Sequence, residues 1–132
     1  MEISASLKNT FQQHEVVVQT NGDAKTVRIA SKPSGYGSSL NGGELLLLSL
    51  ATCFCNDIYR EAAERNITVS EVEVVCTGQF GGVGEPGTNF QYKARVVSDA
   101  PSDEIDALIK HTDRIAEIHN TLRQGLSITL VS

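Results

Sequence analysis

Two cysteines lie close together in the most apolar stretch of the chain, and their spacing limits the chemistry that each can perform. The stretch reads LLLLSLATCFCNDI at residues 45–58, with Cys53 and Cys55 two positions apart. On an α-helix two positions differ by a rotation of about 200°, so these thiols cannot form a disulfide or face one substrate together. The helical neighbours of Cys55 are apolar, and there a thiol behaves as a small hydrophobe. We therefore interpret Cys55 as a core residue and Cys53 as the candidate reactive thiol.

Cys53 shares its predicted helix face with polar side chains. They stand at positions i−4, i+3, i+4 and i+7 and are Ser49, Asn56, Asp57 and Arg60. A reactive thiol needs accessible, electropositive surroundings that stabilise the thiolate. Because Cys53 lies more than two turns inside its helix, the dipole of that helix does not act on it, and a cation must do so instead. The candidate cations are Arg28, Arg60, Arg114 and His119. In the alternative interpretation the polar neighbours form an outward face and Cys53 is a core residue.

The third cysteine and the three histidines have sequence surroundings that favour structural roles. Cys76 belongs to the alternating pattern EVEVVCTGQF at residues 71–80, where a small residue on the inward face is structural. His119 lies on the apolar stripe of a predicted second helix, either as a hydrogen-bonded core residue or as an activating group. His14 and His111 are predicted at the surface. Since a metal site needs three or four convergent ligands, the sequence predicts no metal site and no bound cofactor.

Length, charge and cysteine usage exclude several classes of protein. A chain of 132 residues predicts a single domain, residues 1–132. The net charge is −5 and no basic run occurs, which argues against nucleic acid and anionic membranes as partners. The first residues have neither the basic nor the apolar region of a signal peptide, and the longest apolar run is too short to span a bilayer. Three cysteines without a CxxC pair are typical of reduced thiols, so we expect a soluble, cytoplasmic protein.

The hydrophobic patterns predict an α+β fold with two long helices packed against antiparallel β-sheets. Strands are predicted at residues 3–9, 14–20 and 25–31, with a two-residue NG turn at 21–22, and a loop fills residues 32–43. A helix is predicted from about residue 44 to 65, a hairpin over 69–98, a second long helix that Gly125 ends, and a last strand at 126–132. The first half of the first helix is apolar on every side, so we expect a partner chain to cover it.

Two segments resemble the OsmC/Ohr superfamily. The first is LNGGELLLLSLATCF, with Asn41, Glu44 and Cys53, which is similar to the loop and buried helix that carry the peroxidatic cysteine in that family. The second is HNTLR at residues 119–123, which is similar to the residues that follow the second active-site cysteine in the pattern Cys-Pro-Val-His/Ser-Asn-Thr-Leu. The predicted order of elements also matches, so the resemblance covers nearly the whole chain.

The resemblance implies a function and a site. It implies an intertwined homodimer with two active sites at the subunit interface, which reduces organic hydroperoxides or hydrogen peroxide in oxidative-stress defence, with a dithiol such as a lipoylated protein as reductant. Cys53 stands at the position of the peroxidatic cysteine. A glutamate stands at the position of Glu44 in some branches, whereas the glutamate of the Ohr branch falls on Gly43. The predicted catalytic residues are Cys53, Glu44, Arg28 and His119.

The sequence departs from the family pattern where the second cysteine and its proline belong. Ala116 and Glu117 stand there, so the intramolecular disulfide of the family cannot form by the same route. The Ohr arginine maps near Gln12, and the first arginine of this chain is Arg28. Three hypotheses follow: a one-cysteine hydroperoxide reductase, a member that binds a small apolar ligand without turnover, and a redox sensor in which oxidation of Cys53 changes a partner contact.

Overall fold

The structure is a computed structural model, and it describes residues 1–131. Its elements are the strands β1 (Ile3–Thr10), β2 (Gln13–Thr20) and β3 (Asp23–Val27), the helix α1 (Gly42–Glu64), the strands β4 (Val69–Gln79) and β5 (Thr88–Ser98), and the helices α2 (Ser102–Ile115) and α3 (Glu117–Gln124). The order of strands, helix, hairpin and helices confirms the α+β prediction. The chain divides into two compact units whose boundary, between Leu45 and Leu46, falls inside α1.

The first unit, Met1–Leu45, is built on a three-stranded antiparallel meander in the order β1-β2-β3. Asn21 and Gly22 both have positive φ, 50° and 87°, which is the backbone that a two-residue hairpin turn requires. The turn sets the register in which Thr20 pairs with Asp23. The NG turn and the first two predicted strands are therefore confirmed, whereas the third strand lies at residues 23–27 and ends earlier than the predicted 25–31.

The second unit, from Leu46 onward, contains the main buried core. Phe54, Ile58 and Ala62 recur every four residues along α1 and form one buried stripe, and Leu108 of α2 packs against it. The inward side chains of the antiparallel β4-β5 hairpin cover the same cluster. Since each unit has its own tertiary structure, the single domain 1–132 stays a prediction.

The prediction of one second long helix that Gly125 ends is wrong, because the helix breaks at Ala116. Ala116 has an extended backbone, with φ −65° and ψ 114°, although its N–H still donates to the Thr112 carbonyl. The carbonyls that end α2 are bonded by side chains of α3: Asn120 Nδ2 donates to the Arg114 carbonyl at 2.9 Å, and Arg123 Nη1 donates to the Asp113 carbonyl at 3.0 Å. These bonds replace the backbone bonds that a continuous helix would make. Gly125 does follow the last residue of α3.

The predicted last strand at 126–132 is also not formed over its described part, residues 126–131. A strand needs a neighbouring strand to bond its backbone, and within residues 1–131 none pairs with this segment. Its apolar side chains are exposed, with Ile128 at 90% and Leu130 at 99%. Ser132 lies outside the described residues.

The first half of α1 is not buried on every side within this chain. Leu50 is 7% exposed, whereas Leu48 on another side of the helix is 55% exposed. The expected all-round burial is therefore not met by the chain alone, because its own elements cover only part of the helix. Across residues 1–131, no helix is both long enough and apolar enough to cross a membrane.

Candidate functional site

The break at Ala116 places the beginning of α3 beside Cys53. Cys53 lies on the middle of α1 and is half-buried. Glu117, Ile118 and His119 form the first turn of α3, whose backbone N–H groups have no bonding partner inside the helix. The backbone of Ile118 acts on the Cys53 thiol and lowers its pKa. The positive end of a helix thus does act on Cys53, but it belongs to α3 and not to α1.

Two carboxylates accompany the thiol. Asp57, one turn further along α1, is 4% exposed and accepts a hydrogen bond from the Cys53 thiol, with 3.7 Å between Sγ and Oδ2. The other carboxylate oxygen of Asp57 pairs with Arg60 at 3.0 Å. Glu117 is exposed, and ligand atoms of Cys53, Asp57 and Glu117 all lie within 4.8 Å of one another. Sequence spacing had already placed Asp57 on the face of Cys53, but it did not bring Glu117 there.

Burial and neighbouring negative charges raise the pKa of Cys53. Burial is the largest cause, the backbone of Ile118 opposes it, and the negative charges of Asp57 and Glu117 raise the pKa further. Burial also raises the pKa of Asp57, against the effect of Arg60. The expected cation does not come from Arg60, because its guanidinium is paired with Asp57 and with Glu61 at 3.1 Å. The thiol form is therefore favoured at neutral pH within this chain.

His119 lies between two aromatic rings in the same unit. It is 4% exposed, with ring centroids 4.7 Å from Tyr92 and 5.9 Å from Phe54, and neither ring nitrogen has a hydrogen-bond partner among residues 1–131. Burial and the nearby charge of Arg123 lower the pKa of His119, so the imidazole is neutral at pH 7 and is not an activating cation. It borders a cavity of about 120 Å³ whose other walls include Leu50, Phe90 and Leu122.

A partly exposed polar network next to His119 was not predicted from the sequence. The Tyr92 hydroxyl and the Arg123 guanidinium both donate to Asp113 Oδ1, the latter at 2.7 Å. Burial raises the pKa of Asp113, but these two hydrogen bonds outweigh it and hold the pKa below its usual value. The inward position of Tyr92 in the β5 alternation was the only available signal, because the partners come from two separate helices.

The other two predicted site residues lie in the first unit. Glu44 forms a reciprocal capping box with Asn41: Asn41 N–H donates to Glu44 Oε1 at 2.9 Å, and Glu44 N–H donates to Asn41 Oδ1 at 2.8 Å. Arg28 directly follows β3. The structure therefore brings Cys53 and His119 into one unit and assigns Glu44 a structural role. The catalytic roles of all four residues stay predictions.

The remaining cysteines have less polar surroundings than Cys53. Cys76 lies on the half-buried face of β4 together with Val72 and Val74, and burial raises its pKa. Cys55 is half-buried on α1. Within residues 1–131, neither thiol has a side-chain hydrogen bond that meets ordinary geometry, and all three cysteines are free. Cys53 is thus the thiol with the distinctive environment.

The fold and this thiol site define a class of small α+β protein with a cysteine on a long helix. The sequence model of a family described as "OsmC-like protein" matches residues 35–131. The chain therefore belongs to the OsmC-like family, and the resemblance found in the sequence is confirmed. None of the curated protein sequences compared with the chain matches it.

Solved structures of similar fold include three members of this family. An OsmC-like protein from Mycoplasma pneumoniae is 19% identical, with a TM-score of 0.64 over 92% of this chain and 86% of the other. An OsmC-like protein of unknown function from Vibrio cholerae is 14% identical, with a TM-score of 0.64 over 91% and 92%. An OsmC-like hydroperoxide resistance protein from Jannaschia sp. CCS1 is 17% identical, with a TM-score of 0.56 over 96% and 87%. At these identities the likeness establishes the fold.

Proposed function

We propose that this protein is a one-cysteine hydroperoxide reductase in which Cys53 is the peroxidatic thiol. The observation that carries the proposal is the hydrogen bond that the Cys53 thiol donates to Asp57 Oδ2 at 3.7 Å, beside the backbone of Ile118, which lowers the pKa of the thiol. Asp57 is placed to accept the thiol proton, and the first turn of α3 is placed to stabilise the thiolate. The hydroperoxide resistance protein of similar fold supports the substrate class.

The reaction that this geometry supports is a two-electron transfer. Cys53 Sγ attacks one oxygen of the hydroperoxide, the S–O bond forms, and the O–O bond breaks. The thiol proton passes to Asp57 and then to the leaving alkoxide, so that the products are an alcohol and a cysteine sulfenic acid. An external dithiol then attacks the sulfenic sulfur, releases water and reduces the mixed disulfide. The thiol that attacks the sulfenic sulfur comes from the reductant, because Ala116 stands at the position of the second cysteine of the family and is fully buried.

The proposal includes a homodimer and a reducing compartment. The exposed side of α1 and the exposed apolar segment 126–131 support a second copy as the partner. The three free cysteines support the cytoplasm as location. The second candidate function is a redox sensor in which oxidation of Cys53 changes a partner contact, and the buried Ala116 at the position of the second cysteine supports it, because the sulfenic acid has no resolving thiol there.

Cysteine substitutions test the proposed reaction. Cys53→Ser should abolish consumption of cumene hydroperoxide in the presence of dihydrolipoamide, because the hydroxyl cannot form a sulfenic acid. Cys55→Ala and Cys76→Ser should retain most of it, since neither thiol has the partners of Cys53. The measurement is residual peroxide over time, with thermal unfolding of each variant as the control for folding.

Mass spectrometry gives the outcome that would contradict the proposal. Under excess hydroperoxide without reductant, wild-type protein should carry added oxygen on the peptide that contains Cys53. Equal losses of activity in all three variants, or an unmodified Cys53 under these conditions, would show that the thiol is a core residue. Oxidation of Cys53 without turnover would assign the protein to the sensor class instead.

A further inference from the structure

Cys53, Asp57 and Glu117 offer one soft and two hard metal ligands from two different helices. Their ligand atoms lie within 4.8 Å of one another, and the set is neither a lone cysteine nor a purely acidic cluster. Thiolate sulfur and carboxylate oxygen are both ordinary ligands of Zn²⁺, and a borderline-soft cation accepts them together. The first question is whether the distances fit such an ion.

The distance between Cys53 and Asp57 matches a shared metal ion. With Zn–S near 2.3 Å, Zn–O near 2.1 Å and a tetrahedral angle, sulfur and oxygen of one site stand about 3.6 Å apart. Sγ and Oδ2 are separated by 3.7 Å. Glu117 is exposed, so its flexible side chain can close the remaining distance while leaving an open path and a fourth position for water.

Asp57 gives the cluster an oriented and nearly unpartnered ligand. Its side chain is 6% exposed, and Oδ1 is fixed by Arg60 at 3.0 Å. This leaves Oδ2 aimed at Cys53, with the weak thiol donor as its only hydrogen-bond partner among residues 1–131. A buried carboxylate oxygen normally has a stronger partner than a thiol. Arg60 corresponds to the outer-sphere group that orients a metal-binding carboxylate.

We propose that Cys53 Sγ, Asp57 Oδ2 and Glu117 bind one thiophilic divalent cation, Zn²⁺ or Cd²⁺, with water as the fourth ligand. When the cation binds, the thiol proton leaves to solvent and a metal–thiolate bond replaces the S–H bond. The metal occupies the sulfur lone pair that would attack a hydroperoxide. Inhibition of turnover by the cation therefore rests on the proposed function, whereas the binding itself does not.

Cadmium titration tests the binding without any assay of activity. CdCl₂ added to reduced protein should produce the ultraviolet charge-transfer band of a cadmium–thiolate, saturating at one ion per chain. Cys53→Ser should remove this band. Glu117→Gln, at an exposed position that tolerates substitution, should weaken binding by about tenfold or more. The matched controls are Cys76→Ser and Glu104→Gln, the latter exposed in the first turn of α2, and both should bind as wild type does.

Two results would overturn the proposal: no saturable band in wild type, or a band of unchanged affinity in either Cys53→Ser or Glu117→Gln. Equilibrium dialysis with ZnCl₂ repeats the comparison with the second ion. Peroxide consumption is then measured with a chelator and with excess ZnCl₂. If the protein binds metal but consumes no peroxide in the presence of chelator, the proposed function alone is contradicted. If it consumes peroxide and saturating Zn²⁺ does not inhibit this, the inhibitory role of the metal is contradicted.

Discussion

His119 is a buried imidazole whose two nitrogens make no hydrogen bond within residues 1–131. Its contacts are the rings of Phe54 and Tyr92, which pack against the imidazole but bond neither of its nitrogens. Burial and Arg123 lower the pKa of His119, and the carboxylates of Asp113 and Asp57 only partly oppose them. Protonation of His119 therefore favours the unfolded chain.

This residue should make stability depend on pH in mildly acidic solution. Above the unfolded pKa of about 6.5 the imidazole is neutral in both states and the stability is at its full value. As the pH falls below about 6.5, the unfolded chain binds the proton first, so the free energy of unfolding decreases by up to about 1.4 kcal/mol per pH unit until the lowered folded pKa is reached. In His119→Phe this contribution should be absent.

The measurement is urea unfolding of both proteins between about pH 7.5 and about pH 5. The difference in free energy of unfolding between variant and wild type should shift in favour of the variant as the pH falls. An unchanged difference over that range would mean that the imidazole is protonated equally in both states, and hence that it has a partner in solution.

At the scale of elements, the first turn of α1 is fixed by its capping box. Gly42 and Gly43 occupy the first two helical positions and contribute no side chains, so the helix start depends on Asn41 and Glu44. Each of these two residues satisfies a backbone N–H of the other. The glutamate that the family resemblance places in the site is thus also a helix-capping residue.

Substitution separates these two roles. Asn41→Ala should lower the free energy of unfolding by about 1 kcal/mol, because it leaves the Glu44 N–H without its acceptor. Glu44→Gln keeps a carbonyl oxygen at the same place and should cost less. Chemical denaturation measures both changes. If Glu44→Gln loses peroxide consumption while it keeps its stability, Glu44 has a catalytic role, and if it keeps both, capping is its whole role.

The sequence predicted those helices and strands that depend on residues close together in the chain. The Asn21-Gly22 turn and the alternation of apolar residues define the hairpins, and a long run without Gly or Pro defines α1. The break at Ala116 could not be predicted, because alanine is a good helix former and the break is stabilised by side chains of the next helix, Asn120 and Arg123, whose bonds to the end of α2 form only once the helix has broken.

The sequence predicted which helix positions surround Cys53, but it did not predict the sign of the charge next to the thiol. Helical spacing placed Asp57 and Arg60 on the face of Cys53, and in the structure Asp57 contacts the thiol while Arg60 pairs with Asp57. The charge beside the thiol depends on how the side chains pair with one another. Arg60 pairs with the carboxylates of Asp57 and Glu61, so the thiol contacts Asp57 and not the cation. Glu117 reaches the site only because of the unpredicted break.

The chain as a whole exposes several large apolar side chains on α1 and near its C-terminus. Leu48 on α1 and the alternating residues Leu126, Ile128 and Leu130 are all more than half exposed. Alternation is the pattern of a strand with one buried face, and β4 and β5 pair only with each other within residues 1–131, so their outer edges are free to accept another strand. A second copy of the chain would cover the exposed apolar side chains and would offer a sheet edge with which the C-terminal segment could pair.

We therefore expect a homodimer at micromolar concentration, with an interface in the obligate class above about 2,000 Å². Ile128→Asp should weaken the dimer at least tenfold, because it places a charge on the apolar face of the segment. Val83→Asp is the matched control, since Val83 is an equally exposed apolar residue in the loop between β4 and β5. Sedimentation equilibrium measures all three proteins, and a monomeric wild type would contradict the prediction.

The boundary between the two compact units lies within α1 and not in a loop. Proteases cut extended, locally unfolded chain, and exposed loop tips unfold at much lower free-energy cost than a helix interior. The glycine-rich loop at residues 80–87 is such a tip, whereas the Leu45–Leu46 bond is held in helical hydrogen bonds. Residues 32–34, in the loop that precedes α1, are exposed as well. Limited digestion would therefore cut in these loops and leave the Leu45–Leu46 bond intact, so that its fragments would not coincide with the two compact units.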